Sequence, residues 1–303
     1  MILDWIGFNI FIILILVLDL VVFRKKAHEV TLKETLAWSS FWIGLALLFA
    51  VYVYFRMGQE SAVNFLTGYV IEKTLSVDNL FVFLVLFSFF RVPENAMHKV
   101  LFWGVLGAIV MRAIFILVGI TLVQKFHFFI YILGAFLLFT GIRFLSTKEK
   151  KIDPQKNFVY RLLLRYLPIT HEYDDTRFFV VRNHRLLATP LFLVLVMIEL
   201  TDVVFAVDSI PAILAITLDP FIVYTSNIFA IIGLRTLFFA LAGLIKLFTF
   251  LHYGIAVILI FVGAKMIVSE WIKISPLITL SVVILILAIS IGISVFFSRK
   301  EPK

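Results

Sequence analysis

EKTLSVDN at residues 72–79 and DVVFAVDS at residues 202–209 are one motif written twice: each opens on a carboxylate and closes on Val-Asp and a small polar side chain. Both copies lie inside hydrophobic runs long enough to cross a bilayer, where ionised side chains are costly and by default mark an ion or substrate path. The two stretches therefore point to an all-α polytopic membrane protein and place transport first among its functions.

The composition around them agrees. A chain of 303 residues with 62% hydrophobic content, 34 Phe and a mean hydropathy of +1.09 cannot supply an ordinary soluble surface. Nine apolar segments can be marked off, at 6–23, 36–55, 62–90, 99–123, 127–146, 189–217, 220–245, 251–271 and 277–297, predicting about nine transmembrane helices in a single transmembrane domain over 1–303. The start, Met1-Ile2-Leu3-Asp4-Trp5, lacks a basic region, so the first segment is expected to stay in the mature protein. With no Cys, disulfides and thiolate metal sites are excluded.

The net charge of +8 follows a topological pattern. With the N-terminus outside, Arg24, Lys25, Lys26, Lys33, Arg91, Lys99, Lys246, Arg299, Lys300 and Lys303 fall on the cytoplasmic side, with the many cations of the 147–188 connection. Only Arg56, Lys125 and Lys273 fall outside. That is the positive-inside bias of nine spans with a cytoplasmic C-terminus, in a bacterial-type inner (plasma) membrane, and it leaves no charge that calls for nucleic acid.

The repeat extends past the acidic motif. Met111-Arg112-Ala113-Ile114-Phe115 answers Leu234-Arg235-Thr236-Leu237-Phe238, and Gly141-Ile142-Arg143 answers Gly263-Ala264-Lys265. Residues 62–146 (spans 3–5) thus read as a first repeat and 189–271 (spans 6–8) as a second, joined by the cytoplasmic connection 147–188. Three crossings per unit give the units opposite orientations, an inverted repeat of the kind that holds substrate near the midplane.

Five intramembrane carboxylates need an explanation: Glu72, Asp78, Glu199, Asp202 and Asp208. The bland one is pairing with Arg112, Arg235, Lys73 and Lys265, since a buried acid must be matched or protonated. Stability alone gives little reason for such pairs, because well-packed apolar residues in their place are often neutral or favourable. Residues six apart differ by about 240° around a helix, so the two acids of a motif cannot share one narrow seam. Either the helices are buried on all sides or they are broken, and Pro211 favours a break that frees the Val207 carbonyl beside Asp208. Carboxylate, amide and hydroxyl oxygens from Asp78, Asn79, Ser76, Asp208 and Ser209 suit hard divalent cations such as Mn²⁺, Mg²⁺ or Ca²⁺.

SVDNLFVF at Ser76–Phe83, ELTDVVFAVDSIPAILAIT at Glu199–Thr217 and SNIFAIIGLRTLFF at Ser226–Phe239 closely resemble the TerC family of integral membrane proteins, which includes the Alx-type manganese exporters. The resemblance runs over almost the whole chain. It implies manganese(II) efflux, with the embedded acids Glu72, Asp78, Glu199, Asp202 and Asp208 as the residues implicated. It also implies alternatives, since family members are linked to tellurium resistance, to membrane-protein insertion or assembly, and to supplying metal to exported proteins.

The expectation is a carrier rather than an enzyme, with Mn²⁺ as cargo and no cofactor. Its metal residues are Glu72, Asp78, Asn79, Glu199, Asp202 and Asp208, and Arg112 and Arg235 balance charge. Exporting a divalent ion from a negative-inside cell costs about 4.6 kcal/mol per 100 mV. No P-loop is present, so inward proton flow is the expected driver, protons and metal competing for the same carboxylates. In the connection, His171, Glu172, Asp174 and Asp175 read as a solvated acidic patch balanced by neighbouring Arg and Lys rather than a regulatory metal site. The β-branched stretch Arg177–Thr189 predicts a small hairpin around Arg182-Asn183-His184-Arg185.

Overall fold

The computed structural model describes residues 2–24, 32–126, 128–146, 168–170, 172–182, 185–234, 236–239, 251–269, 271–272 and 274–298. The side chains of Asp78 and Asp208 and the whole of Arg235 and His171 lie outside the described residues. The helices are apolar on every face, as expected of segments surrounded by lipid or by other apolar helices.

In chain order they are α1 (Ile2–Arg24), α2 (Leu32–Met57), α3 (Gln59–Phe90), α4 (Glu94–Lys125), α5 (Phe129–Ser146), α6 (Pro190–Leu214), α7 (Pro220–Ile232), α8 (Leu251–Ile267) and α9 (Pro276–Ser298). Strands β1 (Phe179–Arg182) and β2 (Arg185–Ala188) precede α6. Among the described residues, four helical stretches are long and apolar enough to cross a membrane: Ala37–Met57, Glu94–Lys125, Pro190–Leu214 and Pro276–Phe296. Shorter apolar helices occupy Ile2–Leu18, Phe129–Leu145, Pro220–Ile232 and Tyr253–Ile267.

Local chemistry sets the helix ends. Gly58 separates α2 from α3 at φ 90, a conformation open to glycine at little cost. Arg91 caps α3 in the left-handed region, the Val92 N–H returns to the Phe87 carbonyl at 2.9 Å, and Pro93 then starts α4. Asp219 caps α7, its carboxylate accepting the Phe221 and Ile222 N–H groups at 2.9 and 3.2 Å, with Pro220 in the first turn.

Of the two alternatives posed by the acidic spacing, α3 takes the first. From Ser61 to Ser76 no residue is exposed, and Asn79 and Leu80 are buried too, so acids on different sides of α3 can all face protein. The break expected at Pro211 does not occur. Pro211 lies in the last turn of α6 and the helix continues to Leu214, because one lost hydrogen bond so close to a terminus does not interrupt the ladder. The interruption falls instead at Gly233, where α7 ends and helical backbone resumes at Leu234. Lys73 of α3 reaches that ledge and donates to the Ala230 carbonyl at 3.1 Å.

The core packs α5 against α8, α4 against α6, and α3 against α6 and α7, with α2 and α9 outside α3. Aromatic side chains seal α1 and α2 onto α7, Phe49 and Phe229 having ring centroids 4.9 Å apart.

The hairpin predicted between Arg177 and Thr189 is present, antiparallel, pairing Phe179 with Ala188 and Arg182 with Arg185. It is tied to the α3–α4 elbow. Tyr173 donates to the Phe90 carbonyl at 2.7 Å, Lys99 donates to the Thr176 carbonyl at 2.5 Å, and Thr189 donates to the Arg177 carbonyl at 2.7 Å. Desolvation in this seat pushes the Tyr173 hydroxyl up to about 12. The acidic residues here are balanced as expected, Glu172 lying 3.7 Å from Arg182 and Asp174 4.0 Å from Arg177.

Candidate functional site

Arg112, in the middle of α4, is fully buried and gathers side chains from three other helices. Its Nε and Nη2 donate to the two oxygens of Asp202 on α6 at 3.2 and 3.1 Å, the two-pronged pairing that a planar guanidinium favours. Its Nη1 is in direct contact with the Glu72 carboxylate on α3 and donates to Ser209 Oγ on α6 at 3.4 Å and Asn227 Oδ1 on α7 at 3.3 Å. The leading acids of both motif copies therefore meet on one cation. Because they stand 130 residues apart in sequence, only tertiary packing brings them together.

The cluster is charge-deficient in one direction. With both acids ionised, one guanidinium faces two carboxylates among the described residues, which together carry a net negative charge in a low-dielectric interior where every unpaired ion is costly. Several of its polar atoms are also unsatisfied. Among the described residues, Glu72 Oε2, Ser76 Oγ one turn further along α3, and Asn227 Nδ2 find no hydrogen-bond partner. Buried polar groups are nearly always paired, so the open Glu72 and Ser76 oxygens beside excess negative charge are what a site for a proton or cation presents, whereas the Asn227 amide nitrogen is a donor that calls for an acceptor.

Glu199 lies one helical turn before Asp202, on the same flank of α6. It is half-buried. Its carboxylate rests against Gly107 of α4, occupying the space that a Cβ there would fill. Gly107→Ala is expected to keep thermal melting in detergent within a few degrees of the parent, since a carboxylate on a flexible stem can swing aside.

Of the residues singled out from sequence, Glu72, Asp202 and Arg112 come together, Glu199 joins their flank, and Asn79 is buried two turns beyond Glu72. The side chains of Asp78 and Asp208, and Arg235, lie outside the described residues. Among the described residues no three His, Asp or Glu side chains converge as a ready metal cage. Lys73, a candidate partner for the acids, bonds the Ala230 carbonyl instead. Sequence reasoning did not single out Asn227 or Gly107. The signal for Asn227 was available, as an amide inside the apolar run of α7 needs a buried partner.

Comparison with known proteins bears on this arrangement. The integral membrane protein TerC family matches residues 57–302. A membrane protein of Myxococcus xanthus with no described activity is 48% identical over 298 residues, 98% of this chain and 93% of its own length. A protein of Escherichia coli K12, Alx, described provisionally as a membrane-bound redox modulator, is 45% identical over 308 residues, 99% of this chain and 96% of its own. A membrane protein of Rickettsia bellii is 43% identical over 292 residues, 96% of this chain and 97% of its own. No solved structure matches.

Proposed function

The chain belongs to the integral membrane protein TerC family, and we propose that it exports a hard divalent cation, foremost Mn²⁺, from the cytoplasm in exchange for protons. The observation that carries this reading is the Arg112 cluster, where acids from α3 and α6 share one guanidinium with negative charge to spare. In this reading nine helices cross the membrane, the N-terminus is outside, and the halves 62–146 and 189–271 are inverted copies. The packing supports such a relation. Exchanging α3, α4 and α5 for α6, α7 and α8 turns the α4–α6 contact into the α7–α3 contact, and both exist. The approach of Gly134 to Gly263 likewise becomes that of Ala256 to Gly141, which also exists.

In the empty carrier Arg112 holds Glu72 and Asp202. An incoming cation takes the open Oε2 of Glu72 and the hydroxyl of Ser76, with Asp78, Asn79 and Asp208 supplying further hard ligands of the kind these metals prefer. The Arg112 guanidinium beside the site tips it toward release as protons arrive, since each proton accepted by a carboxylate removes a ligand. Entry of a proton returns about 2.3 kcal/mol per 100 mV, so two entering protons balance the electrical cost of one departing divalent ion. The redox description of the Escherichia coli relative finds no thiol chemistry here, because this chain has no Cys.

The test uses purified protein in vesicles containing a manganese-sensitive dye. Flux is expected only with an imposed pH gradient, and Glu72→Gln and Asp202→Asn should each reduce it at least tenfold while the protein remains folded. Flux indifferent to both the gradient and the substitutions would overturn the mechanism. Full complementation of a deletion strain by both variants would instead favour an assembly or insertion role.

A further inference from the structure

At its turn end the hairpin before α6 carries two aliphatic side chains that no described residue covers. Strand alternation sends Val180 and its partner Leu187 toward the protein and Val181 and its partner Leu186 away from it. Val181 is 71% exposed and Leu186 62%. Next along the strands, at the turn and on the opposite face, Arg182 stands directly across from Arg185, both exposed, and Arg177 lies exposed at the base, 4.0 Å from Asp174. Like charges opposite one another across a ladder are destabilising unless an anion lies between or above them. Glu172 reaches only one of the two, at 3.7 Å and largely in solvent.

The position of this face is fixed. β2 ends at Ala188 and α6 begins at Pro190, while the Phe179 ring packs on Phe192 in the first turn of α6 at 4.6 Å. The 25 residues of α6 extend about 37 Å, more than the roughly 30 Å of hydrocarbon, so an end of the helix reaches headgroup level. The bonds from Tyr173, Lys99 and Thr189 hold the hairpin there. Exposed aliphatic side chains flanked by arginines at a membrane boundary match the chemistry of elements that lie in the interface of an anionic leaflet.

We propose that the 179–188 hairpin is a lipid-binding element, with Val181 and Leu186 entering the headgroup boundary and Arg177, Arg182 and Arg185 contacting the phosphates of anionic lipids. Membrane insertion is all it requires of the preceding reading. Its test involves no transport, so the two can fail separately.

Because the chain has no Cys, a nitroxide label can be placed singly through Val181→Cys or Leu186→Cys, with Asp175→Cys as an exposed control. The full-length protein is reconstituted in phosphatidylcholine vesicles with or without phosphatidylglycerol. With the anionic lipid, labels at 181 and 186 are expected to be several-fold less accessible to a water-soluble nickel chelate, and more accessible to oxygen, than the label at 175. Adding Arg182→Gln and Arg185→Gln should return them to the values found in phosphatidylcholine alone. Equal access to the chelate in both lipids overturns the proposal, as does protection indifferent to lipid charge. Protection that fades as protein is diluted in lipid assigns the face to a second copy of the chain, which also overturns it.

Discussion

Replacing Arg112 with methionine lowers the stability of the folded protein by about 3–5 kcal/mol, the usual consequence of removing one partner from a buried ion pair. The substitution keeps the long apolar stem but leaves Glu72 and Asp202 facing each other in the interior, and it removes the donors on which Ser209 and Asn227 converge. Thermal melting in mild detergent, followed by tryptophan fluorescence, reads the loss. Much of it should be recovered in a triple variant that adds Glu72→Gln and Asp202→Asn, because the penalty lies in the stranded charges and a neutral set avoids it. Arg112→Lys should fall between the two, retaining charge while losing the planar fork that grips both Asp202 oxygens. An Arg112→Met protein that melts with the parent would mean that water already compensates the two acids, and the idea of a dry, charge-deficient chamber would fail.

The ingredients of this cluster were legible because the bilayer makes them conspicuous. An ionised group in an apolar segment has few physical excuses, so Glu72, Asp202 and Arg112 stood out without any structure. Their pairing was not legible. Arg112 and Arg235 looked like equivalent cations, one for each motif copy, and only the packing of α6 against both α3 and α4 brings Arg112 an acid from α3 and another from α6. Sequence spacing describes one helix at a time, whereas this contact joins residues 90 apart.

Two backbone features separate in the same way. The 179–188 hairpin follows from local chemistry and is present. Pro211 and Gly233 show where local rules stop. Proline removes one bond, here the one to the Val207 carbonyl, and α6 runs only three residues past Pro211. Gly233 carries no strong local stop signal. Its role as the end of α7 emerges only with Lys73 on the Ala230 carbonyl and Trp42 beside it, in space that a side chain at 233 would occupy.

Gly263→Ala is expected to destabilise the protein by about 1–3 kcal/mol, the range for forcing an extra methyl group into a closely packed site. At this position of α8 an added Cβ would come 2.8 Å from the Gly134 carbonyl oxygen and 2.9 Å from the Leu138 nitrogen, both backbone atoms of α5 that cannot rotate away. The remaining escape is to push the helices apart, and Gly263→Leu should do so more severely. Gly141 makes the matching approach to the Ala256 carbonyl at 2.8 Å, so Gly141→Ala should behave like Gly263→Ala. Gly44 and Gly292 have no atom within 4 Å of an added Cβ, and alanine there should be neutral or stabilising by up to about 1 kcal/mol through helix propensity alone. Melting curves of the alanine variants therefore separate close packing from a general effect of removing glycine. Among the described residues α5 and α8 make the most extensive helix contact, and in the carrier reading this seam is the pivot about which the halves rock. Gly263→Ala should then slow Mn²⁺ flux even at temperatures where the protein remains folded. If flux is unchanged while the melting temperature drops, the seam serves stability alone and the pivot must lie elsewhere.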